Sequence, residues 1–157
     1  MIGTYIFIFI VVVLIASGLF TVKQQTIAII ERFGKFQSTR NSGLQLKIPL
    51  VDKVSGRVSL RVQQLDVIVE TKTKDDVFVH LKISVQFLIR PDHVYDAFYK
   101  LQNPHEQITA FIFDVVRAEV PKMILDDVFE KKEEIALAIQ RDLKQAMLDY
   151  GYDIIKA

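Results

Sequence analysis

The sequence predicts an α+β fold that follows an N-terminal transmembrane helix. Three observations support this prediction: a charge-free apolar stretch at the start, strand-like alternation over residues 23–90, and helix-like periodicity over residues 91–157. Strands that come first and helices that come after are typical of α+β folds, whereas α/β folds alternate the two. We therefore expect an anchor over residues 1–22 and one domain over residues 23–157, in which C-terminal helices pack on bent antiparallel strands.

Residues 1–22 carry no charged side chain, and the run Ile6–Ala16 is apolar throughout. At a helical rise of about 1.5 Å per residue they would reach roughly 33 Å, enough for a hydrocarbon core of about 30 Å. A cleaved signal peptide is the alternative, since Ala16, Ser17 and Gly18 are small, but no Lys or Arg precedes the apolar run. A helix buried in a protein core would show a polar face, which this stretch lacks. The residues expected inside the bilayer are Ile6, Phe7, Ile8, Phe9, Ile10, Val11, Val12, Val13, Leu14 and Ile15.

Charge and composition exclude several classes of function. The chain has 20 Lys and Arg against 19 Asp and Glu, a formal net charge of +1, so no global field would attract nucleic acid. It has no cysteine, which excludes disulfides, thiolate metal sites and cysteine nucleophiles. Lys23, Arg32, Lys35 and Arg40 follow the anchor, which favours a single-pass membrane protein whose remaining part lies in the cytoplasm.

The first strands are predicted from turns and alternation. The stretch "TIAIIERFGKFQ" indicates two strands joined by a turn at Gly34, and "LQLKI" places Leu44, Leu46 and Ile48 on one face of a strand that Pro49 ends. In "VSLRVQQLDVIV" the apolar parity changes near Gln63. Because side chains alternate with a period of two, this change predicts a bent strand, with a bulge or a corner where the strand changes partners.

The strongest alternation lies in "VFVHLKISVQFLI", where every second residue from Val77 to Ile89 is apolar. This pattern predicts a long antiparallel strand with one buried face. The polar stretch "TKTKDD" before it should close a hairpin with the preceding strand.

Helix signals fill the remainder of the chain. Asp92 is predicted to cap a short helix in "HVYDAFYKL", and Asn103, Pro104 and Glu106 are typical of the start of a second helix, which Pro121 ends. A last helix is expected from about Asp127 to Gly151. The apolar stripes expected to face the sheet are Ile108, Phe111, Ile112, Val115 and Val116 on the second helix, and Ile135, Ile139, Leu143, Met147 and Tyr150 on the last.

No pattern typical of an active site is present. The sequence contains no GxSxG, Walker-type or GxGxxG motif, and His80, His93 and His105 do not share a metal-ligand spacing. Adjacent carboxylates such as Asp75 and Asp76 point apart on any regular element. We therefore predict no catalytic residue, cofactor or metal site, with a hydrolase that uses Ser84 or a histidine–carboxylate pair as a remote alternative.

Two sets of residues are candidates for contact surfaces. Phe33, Phe36, Phe78 and Leu88 are apolar residues at positions that can face outwards, where single exposed hydrophobes are ordinary but a patch marks a membrane or subunit contact. The run "DDVFEKKEE" is typical of a solvated helix face with ion pairs, and alternatively of a ladder between subunits.

Several blocks, taken in order, resemble the SPFH or band 7 family of stomatin, prohibitin, flotillin and related proteins. They are "AIIERFGKF", "GLQLKIPLVDKV", "VSLRVQQLDV", "TKDDVFVHLKISVQF" and "FDVVRAEVPKMILDDVFEKKEEIALAI". The last block is also similar to the plant hypersensitive-induced-reaction branch, whereas the N-terminal stretch favours a stomatin-like membrane protein. Ser42 stands where family members often have proline. The family usually continues after "YGYDII" into a strand and a long coiled coil, so the resemblance implies a fragment or a trimmed member.

The resemblance implies a membrane-anchored scaffold, a homo-oligomer that organises a membrane microdomain and clusters or regulates membrane proteins, an ATP-dependent protease among them. The candidate subunit contacts are Glu130, Lys131, Glu134 and Arg141. An accessory subunit that binds a membrane protease or channel at low stoichiometry is the alternative. The resemblance leaves open the clients, the preferred lipids and the number of subunits.

Overall fold

The computed structural model describes residues 2–157 and divides into two compact units, one that ends at Arg61 and one that begins at Val62. We call them unit 1 and unit 2. Within the described residues the strands form three antiparallel sheets, and the longer helices after the strands contact the sheet of unit 2. The α+β class is therefore confirmed.

From residue 2 onwards, unit 1 forms one helix and five strands. Strand β2 is central in its sheet, between β3 and β5, and its consecutive residues Ile27, Ala28, Ile29 and Ile30 are all buried, so both of its faces are covered. Strands β1 and β4 form a separate two-stranded ribbon. The elements are α1 (Ile2–Gly18), β1 (Leu19–Val22), β2 (Thr26–Arg32), β3 (Lys35–Arg40), β4 (Gly43–Leu46) and β5 (Asp52–Ser59).

The N-terminal helix is shorter than the sequence predicts. It ends at Gly18, because Leu19–Val22 pairs with β4 and the Lys47 amide donates a hydrogen bond to the Gly18 carbonyl at 2.9 Å. None of the helices described between residues 2 and 157 is long and apolar enough to cross a membrane. The transmembrane helix predicted over residues 1–22 is therefore not confirmed, and Met1 lies outside the described residues.

The predicted turn between β2 and β3 is confirmed. Phe33 and Gly34 join the two strands with φ angles of +52° and +79°. Glycine adopts such angles without strain, whereas phenylalanine does so at a cost.

Unit 2 places β7 at the centre of a three-stranded sheet, between β6 and β8. The predicted hairpin is present: the Thr73 amide donates to the Val77 carbonyl at 2.9 Å, and the Val77 amide donates to the Thr73 hydroxyl at 3.2 Å. The elements are β6 (Gln63–Lys72), β7 (Phe78–Ile89), α2 (Val94–Tyr99), α3 (Pro104–Glu119), α4 (Leu125–Glu130), α5 (Lys132–Leu148) and β8 (Tyr152–Lys156).

The parity change near Gln63 is a corner at which the chain changes partners. Strand β5 ends at Ser59 and pairs with β2, whereas β6 begins at Gln63 and pairs with β7. A corner was one of the two predicted explanations of the parity change. The prediction of a single bent strand is wrong, because the segments before and after the corner belong to different sheets.

The helices of unit 2 confirm most of the predicted apolar stripes, but Phe111, Val115 and Tyr150 are only half-buried, and the helix ends differ from the predicted ones. A 3₁₀ turn at Pro91–His93 precedes α2, so Asp92 does not cap that helix, and its carboxylate accepts from Arg90 at 2.8 Å. Lys131, with a φ of −99° and a ψ of +20°, interrupts the predicted last helix between α4 and α5. The buried side chains are Ile108, Ile112 and Val116 on α3 and Ile135, Ile139, Leu143 and Met147 on α5.

Candidate membrane-contacting surface

Helix α1 exposes apolar side chains on every side. All ten residues that the sequence assigns to the bilayer, Ile6 to Ile15, are exposed, and Gly18 is the buried residue of the helix. A helix that packs on its own domain hides one stripe of side chains. An apolar area of this size on a folded chain marks a contact with a membrane or another protein.

The ribbon of β1 and β4 extends this surface beyond the helix. Leu19 pairs with Leu46 and Thr21 with Leu44, so these side chains share one face, because directly opposite residues in a ladder point the same way. Leu44 is 68 % exposed and Leu46 is 56 % exposed. The face that the sequence predicted for Leu44, Leu46 and Ile48 therefore looks outwards.

Leu50 lies in the loop that follows this ribbon and is the most exposed of these residues, at 95 %. Its φ angle of +69° is in the left-handed region, which residues other than glycine rarely adopt. Such backbone strain persists where the surrounding structure fixes it, and it clusters at functional sites. The loop therefore holds an apolar side chain away from the protein.

The buried carboxylate of Asp52 holds the loop that contains Leu50 in place. The Asp52 carboxylate accepts hydrogen bonds from the Arg32 guanidinium at 2.8 Å and from the Ile48 amide at 3.0 Å. The Asp52 amide in turn donates to the Ile48 carbonyl at 2.9 Å. The Arg32 and Ile48 hydrogen bonds lower the pKa of Asp52, since they stabilise its charged form. The loop is thus closed by backbone and side-chain bonds.

Gly18 sets how closely the loop approaches α1. A Cβ atom at this position would lie 2.5 Å from the Lys47 carbonyl oxygen, a distance that real Cβ atoms do not tolerate. The absence of a side chain therefore lets the strand segment lie directly against the end of the helix.

An open crevice of about 390 Å³ lies beside this contact, between the last turns of α1 and the segment Leu46–Pro49. Lys47 is the one charged residue among the six that line it, and its side chain is half-buried. The lining residues are Leu14, Ile15, Leu46, Lys47, Ile48 and Pro49. The crevice is open to solvent and apolar apart from the lysine.

The four hydrophobes singled out from the sequence divide into two pairs. Phe33 is 85 % exposed at the β2–β3 turn, and Phe78 is exposed with the Lys72 ammonium 5.6 Å from its ring centre. Phe36 and Leu88 are half-buried. Phe33 and Phe78 belong to different units.

The two units carry opposite charge. Residues 1–61 hold eight Lys and Arg against two Asp and Glu, a formal charge of +6, and residues 62–157 hold 12 against 17, a formal charge of −5. The near-neutral total hides this separation. Counting charge by segment, rather than over the chain, would have found it in the sequence.

The four candidate subunit contacts lie exposed at α4 and α5 of unit 2. Lys131 pairs with Asp127 at 3.8 Å and Arg141 with Asp142 at 3.3 Å, and Glu130 and Glu134 are exposed. A groove of about 300 Å³ lies beside them, lined by Leu81, Lys82, Ile83, Ser84, Val128, Lys132, Ile135, Ala136, Ile139 and Ala157.

Ser84 and His93, two of the residues considered for catalysis, have structural partners. Ser84 and Gln64 hydrogen-bond the Asp66 carboxylate, and Lys82 pairs with it at 3.1 Å. His93 Nδ1 lies 2.9 Å from the Asp96 carboxylate at the start of α2. Across residues 2–157 we find no group of three His, Asp or Glu side chains that could hold a metal ion.

Comparison with known proteins places this geometry in a family. The model of the SPFH domain / Band 7 family matches residues 20–157. The chain is 45 % identical over 134 residues to hypersensitive-induced response protein 4 of Arabidopsis thaliana. The aligned region covers 85 % of this chain and 46 % of the relative. It is 29 % identical over 130 residues to the human mitochondrial stomatin-like protein 2. That alignment covers 83 % of this chain and 36 % of the relative.

A third relative, the stomatin-like protein stl-1 of Caenorhabditis elegans, is 27 % identical over 135 residues, or 86 % of this chain and 41 % of the relative. The chain spans less than half the length of each of these relatives. The match over residues 20–157 confirms the resemblance found in the sequence, and the chain belongs to the SPFH domain / Band 7 family.

Proposed function

We propose that this chain is a membrane-attached subunit of a homo-oligomeric scaffold, which organises a membrane microdomain and clusters or regulates other membrane proteins. The observation that carries the proposal is the exposed apolar surface of unit 1, formed by α1, Leu44, Leu46 and Leu50. Exposing this surface to water is unfavourable by about 25 cal/mol per Å² of apolar area, so a bilayer would stabilise it. Membership of the SPFH family agrees with a scaffold role.

The apolar surface of α1 supports membrane attachment, and the distribution of basic residues supports one side of the membrane. The ten apolar residues Ile6–Ile15 would lie among the lipid tails, and unit 1 would meet the headgroups. The basic residues that follow α1 favour the cytoplasmic side for the remaining chain.

The exposed side of α5 supports the proposal of self-assembly. Leu137 is 64 % exposed, and Glu134 and Arg141 lie three and four residues from it, on the same side of the helix. An apolar residue between opposite charges is able to pair with a second copy of the same surface, since each acid can meet a base. With Glu130 and Lys131 at the neighbouring helix end, this side of α4 and α5 is the proposed subunit contact.

The clients of such a scaffold would be other membrane proteins, with an ATP-dependent protease as the candidate. The alternative is an accessory subunit that binds one membrane protease or channel at a fixed low ratio without associating with itself. The mass of the native particle separates the two, because only the scaffold is a large homo-oligomer.

The test extracts the protein with its surrounding lipid, without detergent, and measures the particle mass. We expect many copies per particle for the wild type and a loss of high-mass particles for Leu137→Asp. Gln145→Asp is the matched control, because it adds the same charge to an exposed position of the same helix. A monomer in the wild-type extract, or equal masses for both variants, would contradict self-assembly through α5.

Membrane attachment is tested separately by flotation on vesicles. We expect the double variant Phe9→Asp and Val12→Asp to leave the floating fraction, since each carboxylate is strongly disfavoured among lipid tails. The control places two aspartates at Gln102 and Gln145 in unit 2, both exposed. If the α1 variant floats as well as this control, attachment through α1 is wrong.

A further inference from the structure

We propose that unit 1 recognises an anionic glycerophospholipid, with an acyl chain in the crevice beside α1 and the headgroup phosphate paired with Lys47. This inference rests on the proposed membrane attachment and adds the class of lipid and the residue that binds it. It starts from the uneven charge of the chain and from the single charged residue of the crevice.

The charge of unit 1 favours an anionic partner. Eight basic residues share this unit with two acidic ones, Glu31 and Asp52, and the Asp52 carboxylate is neutralised by Arg32 at 2.8 Å. Each Lys or Arg close to an anionic bilayer adds to binding, and the effect is screened by salt. The same unit carries the exposed apolar surface, so its apolar residues and its positive charge would act on one membrane.

The crevice fits a lipid tail rather than a polar ligand. Five of its six lining residues, Leu14, Ile15, Leu46, Ile48 and Pro49, present apolar side chains, and the space is about 390 Å³. It opens between α1 and the ribbon, the two parts of the apolar surface. An acyl chain that enters there would cover apolar surface that is otherwise in contact with water.

Lys47 is placed to meet a phosphate at the mouth of the crevice. Its backbone is fixed, because its amide donates to the Gly18 carbonyl at 2.9 Å and its carbonyl lies against Gly18. Lys47 is half-buried as a residue, and a lysine stem packs along apolar surface while its ammonium stays in the polar region, so we expect the ammonium at the depth of lipid phosphates. The lipid is therefore bound at both ends, by the crevice and by the ammonium.

Leu50 would enter the bilayer next to this lipid. It follows Pro49 of the crevice, is almost fully exposed and is held outwards by its positive φ. The chain contains no tryptophan, so Leu50→Trp introduces a single fluorescent reporter at a position that is 95 % exposed.

The experiment compares vesicles of phosphatidylcholine alone with vesicles that also contain phosphatidylserine, at low and high salt. The full chain should bind both, and it should bind the anionic vesicles at least tenfold more strongly at low salt, with the difference shrinking as salt rises. The tryptophan of the Leu50→Trp variant should be quenched by lipids brominated in the acyl chain.

Lys47→Gln should lower binding to the anionic vesicles about fivefold and leave binding to phosphatidylcholine unchanged. Lys132→Gln, which removes a lysine from unit 2, is the matched control and should bind as the wild type does. Lys47→Arg should restore binding, which separates loss of the phosphate contact from misfolding. Native mass spectrometry should find one retained anionic lipid per wild-type chain and none per Lys47→Gln chain.

Equal binding to the two kinds of vesicle at every salt concentration would overturn this inference and leave membrane attachment intact. Binding to neither kind would overturn the proposed attachment as well. Equal losses for Lys47→Gln and Lys132→Gln would overturn the assignment of Lys47, because the effect would then belong to net charge alone.

Discussion

Leu50 in unit 1 and Leu143 in unit 2 are the same residue type in opposite surroundings. Leu50 is 95 % exposed, whereas Leu143 on α5 is fully buried. Helices α3 and α5 of unit 2 bury most of their apolar stripes, although Phe78, Phe129 and Leu137 of this unit are exposed. Unit 1, in contrast, exposes the whole of α1 up to Gly18 and the leucines of the β1–β4 ribbon. The buried stripe of α5 therefore belongs to a core within unit 2, whereas the exposed apolar surface of unit 1 supports the proposed attachment to a membrane.

The largest expected effect is in the core of unit 2. Leu143→Ala should lower the free energy of unfolding by about 3 kcal/mol, because it removes buried methyl groups and leaves a cavity. Chemical denaturation followed by far-UV circular dichroism measures this change. Leu148→Ala at the exposed end of the same helix is the control and should change the free energy by about 0.5 kcal/mol or less. Similar losses for both variants would mean that α5 is not held by its buried stripe.

The core of unit 2 could be predicted from the sequence because its signals are periodic and local. The helical spacing of Ile135, Ile139, Leu143 and Met147 identifies a buried face without any knowledge of the fold. The alternation in β7 does so for its last part, where Val85, Phe87 and Ile89 are buried, whereas the same face is half-buried from Val79 to Ile83. Strand β8 was missed, since Tyr152–Lys156 is short and becomes a strand only by pairing with β7. The break at Lys131 was missed for a similar reason, as no glycine or proline marks it.

The surface of unit 1 was harder to predict, because it depends on contacts between distant residues. The sequence identified the apolar residues of α1 and the shared face of Leu44, Leu46 and Ile48. It did not show that Leu19–Val22 would leave the helix to pair with β4, nor that Gly18 would lie against Lys47. Hydrophobicity alone does not distinguish a residue in a long helix from one in a strand that continues it.

The contact between Gly18 and Lys47 gives a smaller but local test of unit 1. Gly18→Ala should lower stability by about 2 kcal/mol, since the added methyl group would overlap the Lys47 carbonyl and force the backbone to move. Hydrogen exchange in detergent micelles should be at least tenfold faster at the Lys47 amide, which donates to Gly18. Gly3→Ala is the control in the same helix, because nothing lies within 4 Å of its added Cβ. Unchanged exchange in the Gly18 variant would show that the ribbon does not lie against α1.

The smallest expected effect is on stability at acidic pH. It is tested by comparing one carboxylate from each unit. The Arg32 and Ile48 hydrogen bonds lower the pKa of Asp52 in unit 1, and hydrogen bonds from Gln64, Ser84 and Lys82 lower the pKa of Asp66 in unit 2 to about 2. A carboxyl group whose pKa is lower in the folded state binds protons more readily when unfolded. Its contribution to stability is therefore complete above the ordinary value near 3.9 and is lost as the pH falls through the folded value.

Asp52→Asn should therefore reduce the acid sensitivity of unit 1 alone, and Asp66→Asn that of unit 2 alone, although both variants are less stable at neutral pH. Hydrogen exchange of amides in each unit, measured from pH 5 down to about pH 2.5, reports the stability of that unit separately. Asp114→Asn, on the exposed side of α3, is the control. Because the two carboxylates lie in different compact units, each substitution should flatten the profile of its own unit. If Asp52→Asn flattened both profiles equally, the two units would unfold together as one cooperative unit. The contrast between Leu50 and Leu143 would then be a difference between two surfaces of one cooperative domain.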